Sequence, residues 1–263
     1  MPWTQVIVLG LVQGITELLP VSSSAHLYIV SWLFKWPDQG LTFDVALHVG
    51  TLLAIGLYFL RTWVEILTKN FRLLGLLILG TIPGAISGFL LEKFIEQKLR
   101  NPSVGPIVIG INAIGIALVM AWADSVSRRT RDLNSLNTPD ALSIGIAQAL
   151  AVVPGVSRSG ITMSAALFRN FDRESSAKFS FLLSAPLIAG AGLKKALELR
   201  HTGIPAEMKM PFLAGMAIAA ISAYIVIAFF LRYLRSHTLK IFIYYRIAFG
   251  IIVLALAILS RPR

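Results

Sequence analysis

Long apolar runs alternate with short polar connections along the chain. Five runs are long enough, or nearly so, to cross a bilayer as helices: residues 43–60, 73–91, 104–122, 211–231 and 241–259. A sixth run, residues 179–193, is shorter and contains Pro186. A spanning helix needs about 20 apolar residues, with a range of about 17–25. We therefore expect six transmembrane helices, the shortest of them kinked and lengthened at its ends.

Four further apolar runs are too short to cross a bilayer: residues 6–19, 26–34, 141–153 and 161–168. They form two pairs, separated internally by polar stretches that we call the first break (residues 20–25) and the second break (residues 154–160). Paired half-helices of this kind are typical of re-entrant segments, which enter and leave the membrane on one side. Non-helical backbone is tolerated at membrane depth only where protein or a water-filled cavity satisfies it. The breaks therefore predict a polar interior site.

The two pairs are related in sequence by a constant offset of 135 residues. The matched pairs are Gly10 and Gly145, Gln13 and Gln148, Val21 and Val156, Ser22 and Ser157, and Ser24 and Ser159. The same offset places GTIPGAISG (80–88) over GMAIAAISA (215–223). We expect one transmembrane domain, residues 1–263, with repeat halves of about 1–125 and 140–263. Three spans and one re-entrant pair in each half would invert the second copy and bring both breaks together near the midplane.

Composition supports this all-α integral membrane fold. Hydrophobic residues make up 56% of the chain, charged residues 14%, and the mean hydropathy is +0.75, which is unlike a soluble domain. The net charge is +11, but the basic residues are scattered through short connections, which indicates anchoring beside anionic lipid and no nucleic-acid partner. The absence of cysteine excludes thiolate chemistry. A slight excess of basic residues on one side favours a topology with both termini outside.

The second break has the features of an anion site. After its proline and glycine, Ser157 and Ser159 lie at the start of a half-helix, where backbone N–H groups have no partners. Arg158 adds a planar cation suited to phosphate or carboxylate, and Thr162 adds a hydroxyl. Arg158 could instead pair with Glu17 merely to hold the halves together. An arginine at membrane depth costs at least ~2.5–3.5 kcal/mol, which favours a functional role.

The first break and the half-helix before it carry a second polar group. Gln13 and Glu17 are four residues apart and so share a helix face. Glu17 within an apolar run needs a partner, a metal or a proton. One of the three serines that follow, Ser22, Ser23 and Ser24, could cap a helix, but three hydroxyls exceed what one cap requires.

His26 follows Ser23 by three residues, close enough for a serine–imidazole hydrogen bond if the helix has begun. An isolated histidine near a helix start is more often structural than catalytic. With the neighbouring serines, the buried glutamate and the arginine of the second break, a catalytic and a structural role fit the sequence equally well. His48, His201 and His237 have no such neighbours in sequence, and we assign them no role.

A phosphate or diphosphate on a lipid tail would suit these groups, with its head at the polar breaks and its tail among the helices. Glu17 would repel such an anion unless its carboxylate is protonated or a divalent cation bridges the two. Gln13, Glu17 and two phosphate oxygens would form an all-oxygen set suited to Mg²⁺ or Ca²⁺.

Three motifs together resemble the bacterial undecaprenyl-diphosphate phosphatase family, also known as bacitracin-resistance proteins. They are QGITE at 13–17, PVSSSAH at 20–26 and PGVSRSGIT at 154–162. The resemblance extends to FDVALHVGT at 43–51, to FSFLLSAP at 179–186 and to the chain length. It implies hydrolysis of undecaprenyl diphosphate to the monophosphate and phosphate, which recycles the lipid carrier for peptidoglycan synthesis and confers bacitracin resistance. It also implies a multi-pass plasma-membrane (inner-membrane) protein with an outward-facing site, a divalent cation, six spans and two re-entrant pairs.

The resemblance also implies roles for individual residues. Ser23 becomes the expected nucleophile and His26 its proton-transfer partner, while Arg158 stabilises the transferred phosphoryl group. Glu17, assisted by Gln13, would hold the metal or activate the nucleophile. The expected substrate-binding hydroxyls are those of Ser22, Ser24, Ser157, Ser159 and Thr162. A homodimer is one assembly that the sequence allows.

A transporter or lipid flippase is the alternative function, because inverted repeats and midplane half-helices are typical of secondary transporters. Fold alone does not separate the two. The pair Ser23 and His26 does so in principle, since a carrier needs an anion site but no nucleophile.

Overall fold

Helices account for the regular structure of this protein. The computed structural model describes residues 1–37, 40–99, 101, 103–203 and 205–259, and within them the one bridge between extended segments joins Arg131 to Phe171. The α-helices are α1 (Trp3–Thr16), α2 (Ser23–Leu33), α3 (Gly40–Tyr58), α4 (Leu60–Thr68), α5 (Phe71–Phe94), α6 (Gly105–Val126), α7 (Thr138–Ala149), α8 (Arg158–Phe168), α9 (Arg173–Thr202), α10 (Ala206–Leu234) and α11 (Lys240–Leu259). A π-helical turn, Ile95–Leu99, follows α5, and 3₁₀ turns form at Leu133–Ser135 and Leu150–Val152.

Six of the described helices, α3, α5, α6, α9, α10 and α11, are long and apolar enough to cross a membrane. This confirms the six predicted spans. The helix α9 extends well beyond the predicted run at both ends and contains Pro186. Large apolar side chains such as Phe89, Ile225 and Leu259 are exposed on these helices, as expected for surfaces that face lipid instead of water.

The helix α4 is absent from the sequence prediction. The run 43–60 is interrupted at Phe59, and α4 begins at Leu60. Its pattern is amphipathic, with Ile66 buried while Arg61 and Glu65 are exposed. A helix of this length with mixed polarity gives a weak signal beside the long apolar runs.

Both pairs of short helices are interrupted, but each interruption begins three or four residues before the predicted break, because Ser23 and Arg158 already start the second helix of each pair. The helices α1 and α2 are separated by residues 17–22, and α7 and α8 by residues 150–157, which include the 3₁₀ turn. Ser22 and Ser157, which are 135 residues apart, immediately precede α2 and α8 with φ angles of 77° and 68°. Left-handed backbone at a non-glycine residue costs on the order of 1–3 kcal/mol and persists only where surrounding contacts enforce it.

Glycines at matched positions let the short helices pack closely on long ones. A Cβ added to Gly10 of α1 would lie 3.2 Å from the carbonyl oxygen of Gly215 in α10. A Cβ added to Gly145 of α7 would lie 2.5 Å from the carbonyl oxygen of Gly80 in α5. The offset of 135 converts the first pair into the second. Backbone contact of this kind is how helices associate without a hydrophobic driving force in lipid.

Candidate active site

The two breaks line one cavity of about 530 Å³. The first break contributes Ser22, Ser23 and Ser24, and the second contributes Ser157 and Arg158. The helices α3, α5 and α9 complete the wall. The sequence prediction that the breaks face each other is therefore confirmed.

Glu17 is the centre of the polar end of this cavity. Its carboxylate accepts hydrogen bonds from Arg158 Nη2 at 2.5 Å and from Ser23 Oγ at 2.5 Å. Gln13 Nε2 donates to the same carboxylate at 3.0 Å, as expected for residues one turn apart. Glu17 is 7% exposed, so three donors from both halves of the chain hold a buried negative charge.

Arg158 uses both arms of its guanidinium. While Nη2 contacts Glu17, Nη1 donates to the carbonyl oxygen of Ser180 in α9 at 3.3 Å. The ion pair that the sequence allowed as an architectural contact is thus formed, and it links the two breaks. Because Arg158 also lines the cavity, its donors lie at the place where an anionic ligand would enter.

The hydroxyls of the second break divide into two groups. Ser157 lines the cavity and caps α8 by accepting a hydrogen bond from the Gly160 N–H at 3.2 Å. Ser159 Oγ instead donates to the carbonyl oxygen of Leu19 at 2.8 Å. Thr162 Oγ1 lies 2.7 Å from Ser180 Oγ and donates to the Arg158 carbonyl oxygen.

Neither Ser159 nor Thr162 is among the residues that line the cavity. This differs from the expectation that both bind substrate. The reason is helical direction: in the first turn of α8 these side chains face the first break and α9, where protein groups already satisfy their hydroxyls.

His26 has different partners from those expected. Its Nδ1 lies 2.7 Å from the carbonyl oxygen of Ser22, and its Nε2 lies 2.6 Å from the hydroxyl of Tyr245. The ring also stacks on Phe249, with 4.5 Å between centroids. Both ring nitrogens are engaged away from Ser23, so the expected serine–imidazole hydrogen bond is wrong. A spacing of three residues brings His26 against α11 instead of against the Ser23 hydroxyl.

His48 lies at the site, although the sequence analysis assigned it no role. Its Nε2 is 3.4 Å from Glu17 Oε2, and its Nδ1 is 2.7 Å from the carbonyl oxygen of Asp44. A carbonyl only accepts, so Nδ1 carries a proton and Nε2 is free to take up another beside the Glu17 carboxylate. The only signal in the sequence was the motif FDVALHVGT, which contains both Asp44 and His48.

The described residues offer few ligands for a divalent cation. Gln13 Oε1 is buried and has no hydrogen-bond partner among the described residues, one turn before the Glu17 carboxylate. The described part of the chain has no group of three histidine, cysteine, aspartate or glutamate side chains that could hold a metal. These residues offer two oxygen ligands, Glu17 on the cavity wall and Gln13 behind it, so they fit only a hard cation that takes most of its ligands from water and phosphate oxygens, as Mg²⁺ does.

Much of the remaining cavity wall is apolar, although four polar residues also line it: Asp44, Ser87, Gln148 and Lys194. Leu41, Phe89 and Ile188 line it, and Phe89 is 78% exposed. Gly88 of α5 and Gly190 of α9 also line the cavity, and a Cβ added to either would meet nothing within 4 Å. The cavity thus combines a charged end with an apolar region that has unfilled space.

Comparison with known proteins supports the same interpretation. A family model described as bacitracin resistance protein BacA matches residues 6–252, which include both breaks and every residue that lines the cavity. The chain belongs to this family. It is 46% identical to an undecaprenyl-diphosphatase of Moorella thermoacetica over 265 residues, which cover 98% of each chain. It is also 46% identical to the undecaprenyl-diphosphatases of Geobacter sulfurreducens, over 94% of this chain and 96% of that one, and of Hahella chejuensis, over 95% and 96%.

Proposed function

We propose that this protein is an undecaprenyl-diphosphate phosphatase that releases inorganic phosphate and leaves undecaprenyl phosphate. The observation that carries the proposal is the convergence of Ser23 and Arg158 on Glu17 within a cavity whose remaining wall is largely apolar. A diphosphate head fits the charged end and a polyprenyl tail fits the apolar end. The relatives' name, undecaprenyl-diphosphatase, agrees with this substrate.

Ser23 is the proposed nucleophile. Its hydroxyl attacks the terminal phosphorus while Glu17, at 2.5 Å, accepts the proton. A bond from Oγ to phosphorus forms, the bond from phosphorus to the bridging oxygen breaks, and undecaprenyl phosphate leaves. Water then hydrolyses the phosphoserine, releases phosphate and restores the Ser23 hydroxyl. A water activated directly by Glu17 is the alternative within the same site.

His48 is better placed than His26 to take part in proton transfer. It faces Glu17 Oε2, so a proton received by Glu17 can pass to His48 Nε2. His26 keeps a supporting role in this proposal, because its Nδ1–H holds the carbonyl of Ser22 immediately before the nucleophile. Arg158 exchanges Glu17 for the phosphate oxygens and stabilises the charge that develops there.

A divalent cation, Mg²⁺ or Ca²⁺, is part of the proposal. Gln13 Oε1 and the Glu17 carboxylate would hold it together with phosphate oxygens, and the buried, unpartnered Gln13 Oε1 is the supporting observation. Such an ion supplies charge neutralisation for the diphosphate and its leaving group. Gln13 also orients Glu17 through its amide donor.

The membrane arrangement is likewise proposed. We infer re-entrant pairs α1–α2 and α7–α8 in an inverted repeat, supported by the matched positive φ angles of Ser22 and Ser157 and by the matched glycine contacts. Three spans and one re-entrant pair in each half would give the copies opposite orientations. An outward-facing site in the bacterial plasma membrane would suit recycling of the lipid carrier for peptidoglycan synthesis and resistance to bacitracin.

Phosphate release from undecaprenyl diphosphate in detergent tests the function directly. We expect release in the presence of Mg²⁺, loss of it in excess EDTA, and recovery when Mg²⁺ or Ca²⁺ is added back, because a diphosphate beside Glu17 needs charge neutralisation. The measurement is free phosphate together with the lipid product.

Folded protein that releases no phosphate but moves a lipid phosphate across a proteoliposome membrane would establish the transporter alternative. Full activity in EDTA would remove the cation from the mechanism while leaving the phosphatase in place.

The apolar end of the cavity predicts a selective effect of Gly88→Leu. A leucine there fits open space but occupies the proposed tail site. Loss of about two buried CH₂ contacts, at about 0.8 kcal/mol each, corresponds to roughly tenfold in kcat/KM for undecaprenyl diphosphate. Methyl diphosphate, whose one-carbon tail does not extend along this wall, should be affected by less than about twofold.

Gly56→Leu is the matched control for this variant. Gly56 is also a helical glycine with nothing within 4 Å of an added Cβ, but it does not line the cavity. Equal losses for the long and short substrates, or equal losses in the Gly56 variant, would contradict the assignment of the tail to this wall.

A further inference from the structure

Arg246 of α11 is completely buried and is absent from every motif that points to the site. The five hydrogen bonds of its guanidinium that the structure describes all go to backbone carbonyl oxygens. The acceptors are Pro20 at 3.2 Å, Gly155 at 2.8 Å, Val156 at 3.3 Å, Asn112 at 3.3 Å and Ala113 at 3.2 Å. No ion pair described in the structure includes Arg246, so a carboxylate does not neutralise its charge there.

One side chain thereby joins both breaks. Pro20 belongs to the first break, and Gly155 and Val156 belong to the second, while Asn112 and Ala113 anchor the group to α6. The planar guanidinium carries five donors in a fixed fork, which suits several carbonyls held at fixed positions. The relative position of the nucleophile-bearing break and the arginine-bearing break therefore depends on Arg246.

The hydrogen bonds also set the direction of a backbone donor. In a trans peptide unit the C=O and the following N–H point in opposite directions. Because the Val156 carbonyl points toward Arg246, the N–H of Ser157 points away from it. Ser157 lines the cavity and has the left-handed φ of 68°. Its N–H lies at the start of α8, where backbone donors lack helical acceptors.

The positive charge of Arg246 also favours an anion at the two breaks. A buried cation without a carboxylate partner keeps a positive potential near the breaks, and low-dielectric surroundings strengthen it. A diphosphate at Arg158 and Ser157 would lie in that potential.

We propose that Arg246 is a positioning residue for phosphoryl transfer, which holds the two breaks in register and directs the Ser157 N–H toward the phosphate. The proposal rests on the proposed phosphatase function. Arg246 does not touch the substrate. It acts through the backbone of residues 20 and 155–157.

Arg246→Lys tests this role, since lysine keeps the charge but presents its donors from one atom and cannot span both breaks. We expect kcat for undecaprenyl diphosphate to fall about 10- to 30-fold while KM changes by less than about threefold, because misdirected donors are felt most in the transition state. The inhibition constant of orthovanadate should rise in proportion to the loss in kcat. The thermal unfolding midpoint in detergent reports folding.

Arg72→Lys is the matched control. Arg72 also donates to two backbone carbonyls, those of Asn134 and Leu136, but lies outside the cavity. We expect its kcat to stay within about twofold of the unsubstituted protein. If Arg246→Lys does not fold, Arg246→Gln replaces it. Glutamine avoids a buried charge and presents its donors from one amide nitrogen, so it cannot span both breaks, and we expect the same fall of about 10- to 30-fold in kcat.

The outcomes separate the two proposals. No phosphate release by the unsubstituted protein would remove the phosphatase function, and this role with it. Normal kcat and normal vanadate inhibition in folded Arg246→Lys would overturn the positioning role alone. Where that variant does not fold, a normal kcat in folded Arg246→Gln would overturn it.

Discussion

Ser23→Ala should lower phosphate release from undecaprenyl diphosphate by at least about a thousandfold, whereas Ser24→Ala should retain most of the activity. Both serines line the cavity, and both changes remove one hydroxyl. Only Ser23 Oγ donates to the Glu17 carboxylate, at 2.5 Å; Ser24 Oγ lies 3.4 Å from Ser22 Oγ. A hydroxyl whose proton already points to a carboxylate is the one that can be activated.

The measurement is the initial rate of phosphate release, with mass spectrometry of acid-quenched protein to detect phosphoserine. Phosphate should appear on the peptide that contains Ser23 and be absent from Ser23→Ala. If Ser23→Ala keeps more than about a tenth of the rate, the covalent path fails and water activated by Glu17 becomes the mechanism. If Ser24→Ala shows the larger loss, the nucleophile is the neighbouring hydroxyl.

The fold follows from the sequence where the signal is long. The six membrane-length helices were predictable because bilayer thickness fixes the number of apolar residues that a span requires. The pairs α1–α2 and α7–α8 were predictable because short apolar runs and polar interruptions recur at a constant offset. The helix α4 was not predictable from the sequence. Its polarity is mixed, and the amphipathic pattern becomes visible only once Ile66 is known to be its buried residue.

The site was predictable to the level of which breaks meet, but not to the level of which atoms meet. Glu17, Ser23 and Arg158 were identified because charged or clustered polar residues in apolar surroundings need partners. The predicted hydrogen-bond partner of His26 was wrong, because its actual partner, Tyr245, lies 219 residues away on α11. His48 was missed for the same reason: its relation to Glu17 exists only after α3 packs beside the first break.

Glu17 and Arg158 form an ion pair that the proposed mechanism requires substrate to rearrange. In the structure Arg158 Nη2 donates a hydrogen bond to Glu17, and Nη1 donates one to the Ser180 carbonyl oxygen. In the proposed mechanism, a diphosphate bound at the same donors would free Glu17 to accept the Ser23 proton. Exchange of this ion pair would then couple substrate binding to activation of the nucleophile.

Arg158→Lys should therefore lower kcat/KM for undecaprenyl diphosphate by roughly a hundredfold, although the positive charge is kept. Lysine can pair with Glu17 but presents a point charge, so it cannot bond two phosphate oxygens in parallel or contact Ser180 at the same time. Loss of one preorganised donor to a developing oxyanion typically costs about 10²–10³ in rate.

Arg173→Lys is the matched control for this prediction. Arg173 also pairs with a buried carboxylate, donating to Asp124 at 2.6 and 3.0 Å, and its side chain is 14% exposed compared with 11% for Arg158. It does not line the cavity, so we expect its kcat/KM to remain within about threefold of the unsubstituted protein. Near-normal turnover in folded Arg158→Lys would show that charge alone suffices there. The bidentate role of Arg158 would then be wrong, and the Glu17–Arg158 pair would be an architectural contact between the breaks.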